Sequence, residues 1–72
     1  MEKYKNIGGG SGVAAFEIGS DYIKVKFTSG RVYTYSNQSA GAANISRMKK
    51  LAQSGSGLNS YIQTHVRDNY VK

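Results

Sequence analysis

The stretch IKVKFTSGRVYTY, which begins at Ile23, constrains the fold most, because it predicts two strands joined by a tight turn. In its first half, Ile23, Val25 and Phe27 alternate with Lys24 and Lys26, which is the period of a strand that buries one face. The stretch therefore predicts a hairpin with one apolar face and one lysine face.

The turn between these strands decides which face the second strand shows. A two-residue type I′ turn needs positive φ at both central positions, which Ser29 resists, whereas a type I turn followed by a bulge needs it only at Gly30. The bulge, which we favour, sets Tyr33 opposite Val25 and places Tyr33 and Tyr35 on the apolar face. A register shifted by one residue would instead place both tyrosines on the lysine face.

Length and composition limit the chain, residues 1–72, to a single small domain. A chain of 72 residues has room for one core, and the absence of cysteine excludes a disulfide framework and a thiolate metal site. No stretch is apolar for long enough to span a membrane. The start, MEKYKNIGGG, lacks the apolar run of a signal peptide, so we expect a cytoplasmic protein.

The positive charge lies mostly in the later part of the chain. The formal net charge is +6, to which residues 1–21 contribute −1 and residues 22–72 contribute +7. Such an excess favours a polyanionic partner such as RNA or DNA, or an acidic protein surface. Positive charge also serves solubility alone, so it does not identify a partner by itself.

The segment before the hairpin is expected to contain a flexible glycine-rich lead and one strand. The lead covers residues 1–12, and the core is expected to cover residues 13–70. Residues 13–18 predict a short strand with Phe16 on its core face and Val13 on the other face. This strand and the hairpin form a three-stranded antiparallel meander.

Two amphipathic helices are predicted after the meander. Ser39 is the best N-cap candidate, and apolar residues at helical spacing predict a helix from about residue 40 to residue 53. The break SGSG ends this helix, and a second helix is predicted from residue 58 or 59 to residue 70. The fold class is therefore α+β, with a three-stranded antiparallel meander followed by two α-helices packed on one face.

A series of motif residues runs through these elements. They are Phe27-x-x-Gly30-x-x-Tyr33-x-Tyr35 in the hairpin, Ala52-x-Ser54-x-x-Gly57-Leu58-Asn59 around the break, and Tyr61-Ile62, Val66-Arg67 and Tyr70 beyond it. In this order of elements, residues 12–70 resemble the KTSC domain family. That family is a small module found at the C-terminus of some lysyl-tRNA synthetases and as free-standing bacterial proteins. This chain lacks the proline that the family often places after the second tyrosine.

The resemblance implies a small bacterial module of uncharacterised function. RNA binding is suggested for the family through its attachment to a tRNA-handling enzyme, which is an argument from association. The motif residues Phe27, Gly30, Tyr33 and Tyr35 would then be structural. The RNA binding that the resemblance suggests agrees with the charge asymmetry of the chain.

The chain offers little for catalysis, since it has one histidine, no cysteine and four acidic residues. His65, Asp68 and Ser60 could in principle form a triad. A His/Asp pair on a helix surface is commonly only a weak charge contact, and a triad needs an oriented nucleophile in a pocket. One histidine and one carboxylate also fall short of the ligands of a metal site. We therefore expect no enzyme activity, no metal and no cofactor.

The favoured function is binding of RNA or other nucleic acid through a basic surface. The candidate phosphate contacts are Lys24, Lys26, Arg31, Arg47, Lys49 and Lys50. Tyr33 and Tyr35 are either core residues or a stacking platform for bases, and Tyr4, Tyr22 and Tyr61 are further possible platforms.

The alternative class is a protein-interaction or docking module. An edge strand such as Val13–Ile18 could accept a strand from a protein partner. Self-association would also suit so small a core. Basic groups gathered on one face would favour nucleic acid, whereas an exposed apolar patch would favour protein contact.

Overall fold

Four antiparallel strands followed by helices make up the described part of the chain, residues 1–7 and 12–71, in the computed structural model. The elements in order are β1 (Glu2–Lys3), β2 (Val13–Ile18), β3 (Tyr22–Phe27), β4 (Val32–Ser36), α1 (Asn37–Ala40), α2 (Ala42–Ser54), α3 (Leu58–Tyr61) and a π-helical segment (Ile62–Val66). The predicted α+β class is confirmed. The predicted numbers of strands and helices are each too low.

The additional strand, β1, comes from the segment expected to be a flexible lead. It pairs with β2, with Glu2 opposite Phe16 and Lys3 opposite Ala15, and the sheet order is β1-β2-β3-β4. The next residue, Tyr4, is only 2% exposed. Residues 8–11 of the predicted lead lie outside the described residues. Because β1 covers one side of β2, Val13–Ile18 is an inner strand and not the edge strand that was predicted.

The register of the β3–β4 hairpin is the favoured one. Ile23 faces Tyr35 and Val25 faces Tyr33, so both tyrosines share the face of the apolar residues. Ile23 and Val25 are fully buried and Tyr35 is 2% exposed, whereas Tyr33 is half-buried. The prediction that these tyrosines lie on the apolar side is therefore confirmed.

The turn that sets this register depends on Gly30. The φ angle of Gly30 is +96°, a value that residues with a Cβ atom rarely adopt. The N–H of Gly30 donates to the carbonyl of Phe27 at 2.9 Å, and the N–H of Phe27 donates to the carbonyl of Arg31 at 2.9 Å. Positive φ at this one glycine is what the bulged turn requires, and it explains why the register could be predicted.

A register shift in β2 moves Val13 into the core. Val13 pairs with Phe27 while Ala15 pairs with Lys26, so one extra residue lies between them on β2. Val13 and Phe16 are therefore buried on the same face, at 1% and 2% exposure. The core position of Phe16 is confirmed, and the prediction that Val13 lies on the other face is wrong because simple alternation ignores the bulge.

The first helical region begins earlier than predicted and has two parts. Ser36 is the N-cap of α1, and its hydroxyl accepts from the N–H of Ser39 at 3.1 Å. The hydroxyl of Ser39 accepts in return from the N–H of Ser36 at 3.0 Å, which completes a capping box. Ser39 is therefore the third helical residue and not the N-cap. Gly41, with φ of +93°, separates α1 from α2.

The second predicted helix is shorter and changes its geometry. It begins at Leu58 as predicted, but after α3 it continues as the π-helical segment and ends before the predicted end at Tyr70. Leu58, Ile62 and Val66 are spaced by four and are all buried. Residues four apart drift around an α-helix of 3.6 residues per turn. The wider π turn opposes this drift, so that all three side chains reach the core.

All these elements share one core that lies between the sheet and the helices. Its buried members are Tyr4, Val13, Phe16, Ile23, Val25, Tyr35, Ala40, Ile45, Met48, Ala52, Leu58, Ile62 and Val66. The helices cover the sheet face that carries Ile23 and Val25. The alternate residues of β3, Lys24 and Lys26, therefore point away from the helices. None of the helices in residues 1–7 and 12–71 has the length and apolar character that crossing a bilayer requires.

Candidate functional site

The predicted basic residues are divided between different sides of the sheet. Lys24 and Lys26 lie on the sheet face opposite the helices, and Arg31 lies at the β3–β4 turn. The remaining members lie on α2, on the helix side: Arg47, Lys49 and Lys50. The predicted residues therefore do not form a single basic face.

The sheet face that points away from the helices, which we call the open face, carries a row of residues across all four strands. Pairing places Lys3 beside Ala15, Ala15 beside Lys26, and Lys26 beside Val32. Lys3 and Lys26 are exposed, and Val32 is 47% exposed. Lys3 and Lys26 are two strands apart, so their backbones are separated by about 10 Å. Lys3 joins this face because β1 joins the sheet, so sequence reasoning missed it.

The next row of the open face combines charge with an aromatic ring. Lys24 lies opposite Glu17, and its Nζ is 5.8 Å from the ring centroid of Tyr22. The hydroxyl of Tyr22 donates to Oε2 of Glu17 at 3.1 Å. This hydrogen bond, with the negative charge of Glu17, raises the pKa of Tyr22. Tyr22 is half-buried, so part of its ring stays accessible beside Lys24.

The other two suggested stacking platforms are already engaged inside the protein. Tyr4 is buried, and its hydroxyl accepts from the N–H of Leu58 at 3.3 Å. Tyr61 stacks on the ring of His65 at 4.1 Å between centroids and donates to Asn44 at 2.7 Å. The expectation that Tyr4 could be a platform is therefore wrong, because Tyr4 belongs to the core.

The basic residues of α2 have separate surroundings. Nζ of Lys49 donates to the carbonyl of Ser20 at 3.2 Å, which ties α2 to the β2–β3 turn. Arg47 borders a shallow depression that Tyr61 and His65 also line. Lys50 is exposed. These residues are accessible, but they share neither a strand nor a groove with the lysines of the open face.

A groove lined by aromatic rings lies between the β3–β4 turn and the C-terminal helical segment. It consists of two neighbouring cavities of about 220 Å³ and about 360 Å³, and Phe27, Tyr33 and Gln63 line both of them. Tyr35 and Tyr70 line the smaller cavity. We call this feature the aromatic groove. Three of the four motif residues therefore line this groove, namely Phe27, Tyr33 and Tyr35. The fourth, Gly30, lies in the adjacent β3–β4 turn.

The rings of the aromatic groove form a connected cluster. Tyr33 lies between Phe27, at 5.7 Å, and Tyr70, at 4.8 Å between ring centroids, with interplanar angles of 69° and 52°. Tyr35 meets Tyr70 edge to face at 6.4 Å. Such edge-to-face and tilted contacts stabilise aromatic clusters beyond the area they bury. Phe27, Tyr33 and Tyr70 are only half-buried, so the cluster is partly open to a ligand.

Polar groups surround these rings. Nη1 of Arg31 donates to the hydroxyl of Tyr33 at 3.4 Å, and this hydrogen bond raises the pKa of Arg31. Arg67 and Asp68 line the smaller cavity. Sequence reasoning did not assign Arg67, Asp68 or Gln63 to a binding site, because only the packing of the C-terminal segment against the hairpin brings them there.

Burial raises the pKa of Tyr35 from 10.0 to about 12, with smaller contributions from Tyr33, Tyr70 and the charge of Asp68. The folded state thus favours the neutral phenol, so the resulting stability is complete below pH 10 and is lost as the pH rises towards 12. We expect Tyr35→Phe to lose less stability than the parent between about pH 8 and about pH 11. Urea unfolding at both pH values measures this difference.

The two proteins differ only in the hydroxyl of Tyr35, so the difference between their losses of stability reports the ionisation of this group in its surroundings. Equal losses of stability in both proteins would contradict the assignment of a raised pKa to this residue.

The suggested triad residues serve other contacts. Nδ1 of His65 lies 2.7 Å from the hydroxyl oxygen of Thr64, and the imidazole stacks on Tyr61. Asp68 instead lines the aromatic groove. Within residues 1–7 and 12–71, no three histidine or acidic side chains gather as metal ligands would. The arrangement is suited to binding by stacking and charge.

No family model, no curated protein and no solved structure matches this chain. The resemblance to the KTSC family therefore stays an expectation from the motif residues.

Proposed function

We propose that this protein is a non-enzymatic, cytoplasmic module that binds single-stranded nucleic acid on its open face. The observation that carries the proposal is the placement of Lys3, Lys24 and Lys26 together on the sheet face that the helices leave uncovered. Glu17 shares this face but is engaged by Tyr22.

The spacing of these lysines suits a phosphate backbone. Lys24 and Lys26 are two residues apart on β3, which separates them by about 6.6 Å along the strand. Lys3 adds a positive charge on β1 in the same row as Lys26. Each phosphate that a lysine neutralises releases counterions from the nucleic acid, and this release drives binding.

A single strand fits this face better than a duplex. The accessible part of the Tyr22 ring lies beside Lys24 and could stack with an unpaired base. Open antiparallel sheets with aromatic residues serve in this way in known RNA-binding modules. The resemblance of residues 12–70 to the KTSC family, for which RNA binding is suggested, supports the same proposal.

The proposal predicts strongly salt-dependent binding. With one phosphate contacted by each of the three open-face lysines, the salt slope is about −2.1, so the affinity for a labelled single-stranded RNA decamer should fall about 20-fold between about 50 and about 200 mM salt. Fluorescence anisotropy measures this change, with duplex RNA and duplex DNA as competitors. Equal binding of all three ligands would contradict the preference for a single strand.

A matched pair of charge reversals locates the site. Lys24→Glu with Lys26→Glu should weaken binding at least about 10-fold and reduce the salt slope by about 1.4, because two phosphate contacts are lost. Lys49→Glu with Lys50→Glu makes the same change in net charge on the helix side and should have the smaller effect. A larger effect of the helix pair would move the site to α2.

The absence of RNA binding at low salt would favour the protein-docking alternative. Neither edge of the sheet favours the addition of a partner strand. The edge strand β1 has only two residues, and on the edge strand β4 the carbonyl of Thr34 already accepts from the N–H of Val71 at 2.6 Å. Sedimentation or size-exclusion measurements would then test self-association.

A further inference from the structure

The two ends of the aromatic groove differ in charge. Arg31 lines the larger cavity, beside the β3–β4 turn, and Asp68 and Arg67 line the smaller one. Phe27 and Tyr33 line both cavities and connect them. A ligand that fills the groove therefore meets a guanidinium at the outer end, aromatic rings in the middle, and a carboxylate beside a guanidinium at the inner end.

This separation of charge would orient a nucleotide bound in the groove. The planar guanidinium of Arg31 suits a phosphate, to which it can donate two hydrogen bonds. The carboxylate of Asp68 would repel a phosphate, so the phosphate belongs at the outer end. The groove lies on the helix side of the sheet and reaches the open face around the β3–β4 turn, where Lys26 and Val32 flank the turn residues that line the outer end.

The middle of the groove suits a base. Phe27, Tyr33 and Tyr70 are half-buried, and their rings offer accessible surface for stacking. Together the two cavities, of about 220 and 360 Å³, reach the size of sites for small ligands.

The carboxylate of Asp68 at the inner end would distinguish one base from another. An ionised carboxylate only accepts hydrogen bonds, and it can accept two at once. Guanine has two adjacent donors, its N1–H and its amino group, with the O6 acceptor alongside. Asp68 can accept both donors while Arg67 donates to O6. Adenine and cytosine have one amino group beside an acceptor nitrogen, and the single N–H of uracil lies between two carbonyl groups.

We propose that the aromatic groove binds an unpaired guanine nucleotide of a single strand, with its phosphate at Arg31 and its base edge at Asp68 and Arg67. This inference rests on the proposed function and names the base that the module selects. From Arg31 the strand passes around the β3–β4 turn to Lys26 on the open face.

The test compares labelled decauridylate with decamers in which one central uridine is replaced by guanosine, adenosine or cytidine. We expect the guanosine oligomer to bind about 10-fold more tightly than decauridylate, with the adenosine and cytidine oligomers between them. Asp68→Asn should abolish this preference, because an amide offers one acceptor and a donor in place of two acceptors. Asp68 is exposed, so Asp68→Asn is expected to leave the fold intact.

Asp21→Asn is the matched control, since it makes the same change in charge at an exposed residue of the β2–β3 turn. It should retain the preference for guanosine. Equal binding of the four oligomers by the parent would overturn this inference alone, as would a preference that survives in Asp68→Asn. A failure to bind any oligomer would overturn the proposed function and this inference with it.

Discussion

Phe16→Ala is expected to destabilise the fold by about 3 to 5 kcal/mol, the usual effect of removing a buried aromatic ring. Phe16 is 2% exposed on the core face of β2 and lies opposite Val25 of β3. Its ring meets Tyr4 edge to face at 6.4 Å between centroids. The substitution would therefore leave a cavity at the place where β1, β2 and β3 meet the core.

The size of the domain makes this loss severe. Domains have about 0.05 to 0.15 kcal/mol of stability per residue, which gives about 4 to 11 kcal/mol for this chain. Phe16→Ala should therefore remove a large part of the total and populate unfolded molecules at 37 °C. Urea unfolding followed by circular dichroism measures the change in the free energy of unfolding.

Ile7→Ala serves as the control for Phe16→Ala. Ile7 is 65% exposed, so its truncation should change stability by less than about 0.5 kcal/mol. A loss of less than about 1 kcal/mol in Phe16→Ala would contradict the core assignment of β2.

The elements that the sequence predicts well are those that local chemistry specifies. The alternation of Ile23 and Val25 with lysines marks the faces of β3, and Gly30 sets the turn, so the register and the inward side of Tyr35 follow. The β2 strand shows the limit of this reasoning, since Val13 is buried only because a bulge interrupts the alternation.

The elements that were missed depend on contacts between distant segments. The two residues of β1 have no pattern to detect, and their place is fixed by neighbours such as Tyr4, whose hydroxyl accepts from Leu58. The N-cap was misplaced for a different reason. Ser36 and Ser39 both have cap chemistry, and only the reciprocal hydrogen bonds show which one begins the helix.

The candidate site was also predictable only where local strand alternation specifies it. Strand alternation places Lys24 and Lys26 on one face of the sheet. Which face α2 covers depends on tertiary packing. The sequence alone therefore could not show that Lys49 and Lys50 lie on the opposite side of the sheet from Lys24 and Lys26. Lys3 and Asp68 reach their sites through β1 and the C-terminal segment. A site assembled from such distant segments has no signature in a single sequence.

Gly55→Ala is expected to destabilise the fold by about 2 to 5 kcal/mol, through backbone strain of about 1 to 2 kcal/mol and crowding of about 1 to 3 kcal/mol. Gly55 ends α2 with φ of +79°, and a Cβ placed there would lie 2.6 Å from Cβ of Lys5. The carbonyl of Gly55 also accepts from the N–H of Ile7 at 2.7 Å. The close approach of the two backbones therefore holds the segment that follows β1.

Gly57→Ala separates the two contributions, because Gly57 has nearly the same φ, +82°, but its nearest neighbour would be 3.7 Å away. Gly57→Ala should therefore lower the free energy of unfolding by the backbone strain alone, about 1 to 2 kcal/mol. Lys5→Gly removes the crowded Cβ, so in that background Gly55→Ala should cost about as much as Gly57→Ala. Equal losses for both glycine variants in the parent would mean that Lys5 does not approach Gly55. Because β1 carries Lys3 onto the open face, the close approach of Gly55 to Lys5 also helps to hold Lys3 in the proposed binding surface.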